Sequence, residues 1–209
     1  MELLIIRHAL PVAVDNTATG EEADPELSDL GRRQAEALAD WLVGPGAGAG
    51  WAPERIDAVY SGPKRRARET AAPLAARLGL DVVVEPGISE FDDGEVEYTP
   101  IEELKAVGDP RWLQMVSEDG IPDPEAFQRR VVAGMEGIVA ANPGGRVVVS
   151  CHGGVVAAYL SYLLRIDRIL FFEAAYTSVS RVLAAATGER TVGSMNEVAH
   201  LRVAGVPLY

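Results

Sequence analysis

The chain has 209 residues, a length that fits one large or two small domains. Its 31 acidic and 19 basic residues give a formal net charge of −12, which disfavours nucleic acid and anionic membranes as partners because like charges repel. A hydrophobic fraction of 48% is ordinary for a folded core, and the single cysteine, Cys151, excludes an internal disulfide and any multi-cysteine metal site.

Strand-like and helical patterns alternate from the start of the chain. Residues 3–6 form a short apolar run that predicts the first strand. This run is too short for a signal-peptide core or a membrane span, and no later segment has 18 consecutive apolar residues, so we expect a cytoplasmic protein without a membrane anchor. Helical spacing over residues 29–42 predicts a helix with Ser28 as its N-cap. The glycine-rich residues 44–50 predict a surface loop rather than a domain linker.

The rest of the chain continues this alternation. Further strands are predicted over residues 56–60, 82–84, 147–150, 178–185 and 191–198. Further helices are predicted over residues 63–78, 101–107, 124–141 and 155–164. Residues 85–124 are irregular, acidic and rich in proline, and we expect them to form a lid or insertion over a site. Alternating strands and helices indicate right-handed crossovers, so we predict a single α/β domain over residues 1–209, a three-layer α/β/α sandwich with a mostly parallel central sheet.

Ligands of such sheets bind beyond the carboxyl ends of the strands. This rule selects Arg7 and His8 after the first strand, residues 61–66 after the second, and residues 152–154 after the strand over 147–150. Two of the three histidines therefore lie at strand ends, near a cluster of arginines. Imidazole can act as a nucleophile, guanidinium groups bind phosphate oxygens, and helix N-termini add backbone donors. The pattern favours phosphoryl transfer.

Several motifs follow one another in order over nearly the whole chain. They are residues 4–9 (Leu-Ile-Ile-Arg-His-Ala), 24–35 (with Leu-Ser-Asp-Leu-Gly), 60–71 (with Ser-Gly-Pro-Lys-Arg-Arg-Ala), 89–95 (with Ser-Glu-Phe-Asp), 149–154 (Val-Ser-Cys-His-Gly-Gly) and 196–201. Together they resemble the motifs of the histidine phosphatase superfamily, the phosphoglycerate-mutase-like proteins. Motifs in the correct order are more specific than any one of them alone.

The resemblance implies a role for each matching residue. His8 would attack phosphorus and become phosphohistidine. Arg7, Arg66 and His152 would line the phosphate pocket and stabilise the equatorial oxygens. Glu90 would protonate the leaving alcohol and then activate water, a task that needs a carboxyl group with a raised pKa. No metal and no cofactor is implied.

Other residues near this pocket are candidates for substrate binding. Gly153 would bring backbone donors at the start of a helix. Lys64 and Arg65 precede Arg66, but adjacent side chains on a helix point about 100° apart, so we expect these two on the rim. The asparagine that binds phosphate in the family is absent from its usual place. Asn16, Thr17 and Thr19 are candidate replacements, unless the contact is missing or made by the backbone.

The remaining cysteine and histidine have structural interpretations. Cysteine phosphatases need an arginine six positions after the nucleophile, where this chain has Ala157, so we expect Cys151 to be a packed core residue. His200 is predicted in an apolar final strand, where it would make a structural hydrogen bond. A metal site at His8 and His152 is disfavoured, because guanidinium groups would not line a cation pocket.

We therefore predict a metal-independent phosphomonoesterase that hydrolyses a small phosphorylated substrate through phospho-His8. A cofactor-dependent phosphoglycerate mutase is the alternative within the family, and a non-catalytic phospho-ligand-binding module on the same fold is the alternative outside enzymes. The expected partner is the phosphorylated substrate, without nucleic acid or membrane. Nothing in the sequence specifies the oligomeric state, and a homodimer is compatible with it.

Overall fold

Six strands form the central sheet of the computed structural model, which describes residues 1–44 and 53–209. The strands in chain order are β1 (Glu2–Arg7), β2 (Val14–Asp15), β3 (Ala58–Ser61), β4 (Val82–Val84), β5 (Glu97–Tyr98), β6 (Arg146–Cys151), β7 (Val179–Ala184) and β8 (Arg190–Glu197). The helices are α1 (Asp29–Val43), α2 (Arg65–Leu78), α3 (Ile101–Val107), α4 (Arg111–Met115), α5 (Pro124–Ala141), α6 (Gly153–Leu164) and α7 (Ala199–Ala204). Short 3₁₀ helices span Pro86–Ile88 and Glu118–Gly120. Apart from Gly44, the predicted glycine-rich loop lies outside the described residues.

The order of the sheet is β4-β3-β6-β1-β7-β8, and β2 pairs with β5 in a separate two-stranded ribbon. The pairs β4–β3, β3–β6 and β6–β1 are parallel, whereas β1–β7 and β7–β8 are antiparallel. The prediction of a mostly parallel sheet in an α/β fold is thus confirmed. Its parallel half contains the strands whose carboxyl ends carry the candidate site.

Helices cover both faces of the sheet, which makes the three predicted layers. On β1, Leu3 and Ile5 pack in the same core cluster as residues of α5 and α6. Leu4 and Ile6 point the other way, into the cluster formed with α1 and α2. Side chains alternate between faces along a strand, so a run that is apolar at every position is expected for a strand buried on both sides. None of the helices in the described part of the chain is both long and apolar enough to cross a membrane.

Most predicted elements are observed with shifts of one or two residues at their ends. The predicted N-cap Ser28 accepts a hydrogen bond from the Gly31 backbone N–H at 3.0 Å. The helix predicted over 63–78 begins at Arg65, two residues later than expected. The helix predicted over 155–164 begins earlier, at Gly153, so the two glycines form its first turn. The β2–β5 ribbon and α4 were not predicted, because they are too short for a periodic pattern.

The prediction that His200 lies in a final strand is wrong. His200 is in α7, a short helix that follows β8 and ends at Gly205 in the left-handed conformation. The expected structural hydrogen bond is present, since His200 Nε2 lies 2.9 Å from Thr177 Oγ1. The Thr177 hydroxyl donates to the Tyr176 carbonyl, so it accepts from His200, and burial lowers the pKa of His200 to about 4.

Two glycines of α5 differ in what surrounds them, and this generates a stability prediction. A Cβ on Gly134 would lie 3.1 Å from the Gly87 carbonyl carbon and 3.2 Å from Ile88 Cγ2. A Cβ on Gly137 would meet nothing within 4 Å. Gly137→Ala should raise the free energy of unfolding by roughly 0.5–1 kcal/mol through helix propensity alone.

Gly134→Ala has the same propensity gain, but overpacking against backbone costs on the order of 1–3 kcal/mol, so we expect net destabilisation. Urea unfolding of the two variants, followed by circular dichroism, measures the difference. Equal stabilisation by both would show that α5 does not pack tightly against the segment at Gly87.

Candidate active site

His8 follows β1 and is held by backbone on both sides. Its backbone N–H donates to the Cys151 carbonyl at 2.8 Å, continuing the parallel pairing of β1 with β6. Its Nδ1 donates to the Ala9 carbonyl at 2.8 Å, because a carbonyl can only accept. Burial, then the positive charges of Arg66 and Arg7, holds the pKa of His8 well below its usual range. The ring is therefore neutral near pH 7, with an unprotonated Nε2.

His152 lies beside His8, at the start of α6. The two ring centroids are 5.2 Å apart in an edge-to-face arrangement, and His152 has no exposed surface. Burial, then the charge of Arg66, also holds the pKa of His152 well below its usual range. Neither of its ring nitrogens makes a hydrogen bond within residues 1–44 and 53–209.

The Arg7 guanidinium is fixed at the end of β1 and is only 7% exposed. Its Nη1 donates to the Ala174 carbonyl at 2.5 Å, and its Cζ lies 3.9 Å from the centroid of the Tyr176 ring. The Tyr176 hydroxyl in turn donates to Glu102 at 2.7 Å. The Arg7 Nε is buried without a hydrogen-bond partner in the described part of the protein.

Arg66 is in the first turn of α2 and is 1% exposed. Its Nη2 donates to Asp92 Oδ2 at 2.6 Å, and its Cζ lies 4.7 Å from the centroid of the Tyr98 ring. The Nε and Nη1 atoms are buried and, among the described residues, unpaired. Buried donors are normally hydrogen-bonded, so several orphaned donors at one place indicate a site for an anionic or polar ligand.

Glu90 is the buried carboxyl group of this site, at 9% exposure. Its Oε2 accepts from the Gly154 backbone N–H at 2.9 Å, in the first turn of α6. Burial, then the negative charge of Asp92, raises the pKa of Glu90 to about 7. A Cβ at Gly154 would lie 2.4 Å from Glu90 Oε1, so the carboxyl group can reach this position only beside a glycine.

Arg130 of α5 holds the segment that carries Glu90, and the sequence analysis missed it. Its Nη1 donates to the carbonyls of Gly87 at 3.1 Å and Ser89 at 2.9 Å. Its Nη2 donates to the Glu90 carbonyl at 3.3 Å. No pattern within the helix could have identified these acceptors, because they belong to an irregular segment far away in sequence.

These side chains open into a cavity of about 610 Å³. Arg7, His8, Arg66, Glu90 and Gly153 line it, whereas His152 lies beneath it, against His8. Residues between 90 and 122 supply much of the remaining wall, and a second stretch, residues 168–174, completes it. The second stretch was not anticipated from the sequence, since it has no regular secondary structure. The role of residues 85–124 as a lid stays a prediction.

Besides His152, several residues that were predicted as candidates for substrate binding do not line the cavity. Asn16 follows β2, and its Nδ2 donates to the Glu22 carbonyl at 3.3 Å. Lys64 is 5% exposed, and its Nζ contacts the Glu22 carboxylate and lies 3.1 Å from Asp93. Lys64 is therefore neutralised by carboxylates instead of facing the cavity.

Arg65 also points away from the cavity. Its guanidinium pairs with Glu26 at 2.5 Å and with Glu69 at 2.6 Å, one turn further along α2. Adjacent side chains on a helix diverge, as expected, so Arg65 points into solvent while Arg66 points into the site. Asn16, Lys64 and Arg65 therefore do not line the cavity, and a contact of any of them with substrate stays a prediction.

Cys151 is fully buried in the core cluster below the site, as predicted. Burial raises the pKa of its thiol, which opposes formation of a nucleophilic thiolate. Within the described ranges, no group of three or more His, Cys, Asp or Glu side chains is arranged to hold a metal ion.

The sheet and the residues at its carboxyl edge define an α/β protein with a pocket suited to an anion. A sequence profile of the histidine phosphatase superfamily (branch 1) matches residues 3–197. The chain therefore belongs to this superfamily, in agreement with the motif resemblance.

Individual relatives share about a quarter to a third of their residues with this chain. A bifunctional protein of Mycobacterium tuberculosis is 34% identical over 157 residues, which are 72% of this chain and 40% of that protein. Phosphoserine phosphatase 1 of Hydrogenobacter thermophilus is 28% identical over 179 residues, 83% of this chain and 81% of that enzyme. The chain thus spans about 40% of the length of the mycobacterial relative.

Solved structures confirm the fold. A phosphoserine phosphatase of Entamoeba histolytica, crystallised with 3-phosphoglyceric acid, superposes with a TM-score of 0.70. The superposition covers 96% of this chain and 98% of that chain, at 23% sequence identity.

The geometry around Glu90 predicts how its pKa responds to its neighbour. Removing the negative charge of Asp92 by Asp92→Asn stabilises the ionised carboxylate, so the pKa of Glu90 should fall below about 7. Carboxyl ¹³C NMR titration measures this, with the resonance assigned by its loss in Glu90→Gln.

Asp93→Asn is the matched control for this titration. Asp93 accepts a hydrogen bond from Ser89 Oγ at 2.8 Å and lies 3.1 Å from Lys64 Nζ, which balances its charge. The same charge change at Asp93 should therefore move the pKa of Glu90 less. Equal shifts in the two variants would contradict the assignment of Asp92 as the dominant charge.

Proposed function

We propose that this protein is a metal-independent phosphomonoesterase that works through a phosphohistidine on His8. The observation that carries the proposal is the combination of a neutral imidazole, two buried guanidinium groups with unpaired donors, and a carboxyl group whose pKa is about 7. Membership of the histidine phosphatase superfamily and the phosphatases among its relatives support it further.

In the first step, His8 Nε2 attacks the phosphorus atom of the ester and the bond from phosphorus to the alcohol oxygen breaks. The hydrogen bond from Nδ1 to the Ala9 carbonyl keeps Nε2 unprotonated and stabilises the positive charge that the ring gains. Protonated Glu90 donates its proton to the departing alcohol oxygen. Free donors of Arg7 and Arg66 stabilise the equatorial oxygens.

In the second step, the Glu90 carboxylate takes a proton from water while the water oxygen attacks phosphorus. The bond from phosphorus to His8 breaks, inorganic phosphate leaves, and neutral His8 and protonated Glu90 are restored. A pKa of about 7 suits both tasks, because a group titrating near the working pH can donate and accept with similar ease. His152 packs against the His8 ring, and its ring nitrogens make no hydrogen bond within the described residues, so we assign it to phosphate binding beside His8.

The direct test is detection of the intermediate. Enzyme quenched under alkaline conditions during turnover of 4-nitrophenyl phosphate should contain phosphohistidine in the peptide with His8, and activity should persist in EDTA. His8→Ala should show neither turnover nor label, whereas His200→Gln, which changes a histidine outside the site, should show both. Equal background turnover by the wild type and His8→Ala would refute the proposal that the protein is an enzyme. Isomerisation of 3-phosphoglycerate faster than phosphate release would assign a mutase instead.

Glu90→Gln should separate the two steps, because 4-nitrophenolate leaves without a proton. We expect steady-state turnover to fall by about 10²–10⁴-fold, the usual range for loss of a general acid–base group. A burst of nitrophenolate near one equivalent of enzyme should precede it, since phosphorylation stays fast while hydrolysis is slow. Stopped-flow absorbance measures the burst.

The pH profile checks the same assignment. For an alkyl phosphate, whose alcohol needs the proton, wild-type kcat should decline above about pH 7, where Glu90 loses that proton. A profile that stays flat from pH 6 to 9, or Glu90→Gln turnover without a burst, would contradict the role given to Glu90.

A further inference from the structure

The cavity beside the catalytic residues is larger than one phosphate group requires. Its volume of about 610 Å³ lies within the range of pockets that enclose drug-sized organic ligands. Phosphate-binding side chains account for only part of its lining. The rest must therefore face the alcohol portion of the substrate.

This other part of the lining is mainly apolar, and we call it the apolar wall. It consists of Ile101, Leu104, Trp112, Met115, Val116, Leu170, Phe171 and Phe172. The members come from α3, from α4 and the residue after it, and from the irregular stretch before Ala174. The Phe171 and Phe172 rings lie 4.8 Å apart, so adjacent aromatic surfaces face the same cavity.

Charged residues around the apolar wall are largely neutralised by one another. Arg111 pairs with Asp109 at 2.8 Å and lies 3.7 Å from Glu97. Lys105 pairs with Glu173 at 2.7 Å. These cations are therefore occupied and offer little attraction to a second anionic group on the substrate.

Arg168 is the exception on this side of the cavity. It is exposed, and its Nη2 donates to the Val116 carbonyl at 3.2 Å, with no carboxylate within 4 Å in the described part of the chain. An exposed guanidinium is well hydrated, so its attraction for a carboxylate is weak. Arg168 is nevertheless the residue that could bind a second anionic group of the substrate, and the experiment must distinguish this alternative from an apolar substrate.

We propose that the physiological substrate is the phosphate monoester of a bulky apolar alcohol, whose hydrocarbon body packs on the apolar wall. This inference rests on the proposed phosphatase function and adds the substrate class. A small polar ester such as phosphoserine or glycerol phosphate would leave the apolar wall in contact with water. It would lose the favourable burial that a hydrocarbon chain or aromatic ring gains there.

The test is a homologous series of primary n-alkyl monophosphates from ethyl to octyl. Their alcohols have nearly the same leaving-group pKa, so the chemical step stays constant while the apolar area grows. We expect kcat/KM to rise roughly two- to fourfold per methylene until the cavity is filled. O-phosphoserine and glycerol 3-phosphate should fall at least about tenfold below pentyl phosphate, which is of similar length.

Variants locate the effect on the apolar wall. Trp112→Ala should lower the ratio of kcat/KM for octyl to ethyl phosphate about tenfold, and Trp112→Phe should lower it less. Leu113→Ala is the control on the same helix, because Leu113 is 52% exposed and does not line the cavity. It should keep the wild-type ratio. Circular dichroism verifies that each variant is folded.

The outcomes separate this inference from the function on which it rests. A flat alkyl series with measurable turnover of ethyl phosphate overturns the apolar substrate class and leaves the phosphatase intact. Preference for O-phosphoserine that disappears in Arg168→Met also overturns it, and shows that the cavity binds a second anion. Absence of turnover for every ester, together with absence of phosphohistidine, overturns both.

Discussion

The burial of two guanidinium groups at the carboxyl edge of the sheet is the constraint on which the site depends. A buried charge is costly unless it is paired, and here each arginine is only partly satisfied by the protein. Arg7 has a carbonyl and the Tyr176 ring, and Arg66 has Asp92 and the Tyr98 ring. Both arginines line the same cavity as His8, the residue that follows β1. The scaffold thus holds positive charge where a phosphate would complete its pairing.

The same dry environment shifts two titratable groups in opposite directions. Burial disfavours the charged form of any group, so it lowers the pKa of His8 and raises that of Glu90. Arg66 and Arg7 also oppose protonation of His8. At Glu90, the negative charge of Asp92 opposes ionisation more than the positive charge of Arg66 favours it. A neutral imidazole and a protonated carboxyl group can consequently coexist near pH 7. In water at this pH the carboxyl group would already be ionised, and part of the imidazole would be protonated.

Strands and helices with a regular hydrophobic pattern were predictable from the sequence. Features that depend on contacts between distant parts of the chain were not. An apolar run ending in Arg7 and His8 predicted both a buried strand and the residues at its end, because β1 lies in the middle of the sheet. Parallel pairing with β6 then places His152 beside His8. By contrast, the three carbonyls bound by Arg130 belong to an irregular segment, so no local pattern could have indicated them.

Lys64 illustrates why sequence proximity is a poor guide to a contact with the site. It immediately precedes α2, two residues before Arg66, yet Glu22 and Asp93 draw its ammonium group away from the cavity. The carboxylates come from two separate irregular stretches, whose folding brings them to one place. The direction of a long side chain depends on such partners more than on its position along the helix, and sequence adjacency alone does not contain that information.

The acidic exterior and the positive pocket act over different distances. A net charge of −12 repels a phosphate ester from afar, but screening limits this repulsion to about 8–10 Å at physiological ionic strength. Within the cavity, buried donors act at short range in a medium of low dielectric constant, where charge interactions are strongest. Phosphate recognition of this kind is the same for every monoester. Under the proposed function, discrimination among esters would come from the alcohol side, where α3, α4 and the stretch before Ala174 build the apolar wall independently of the sheet.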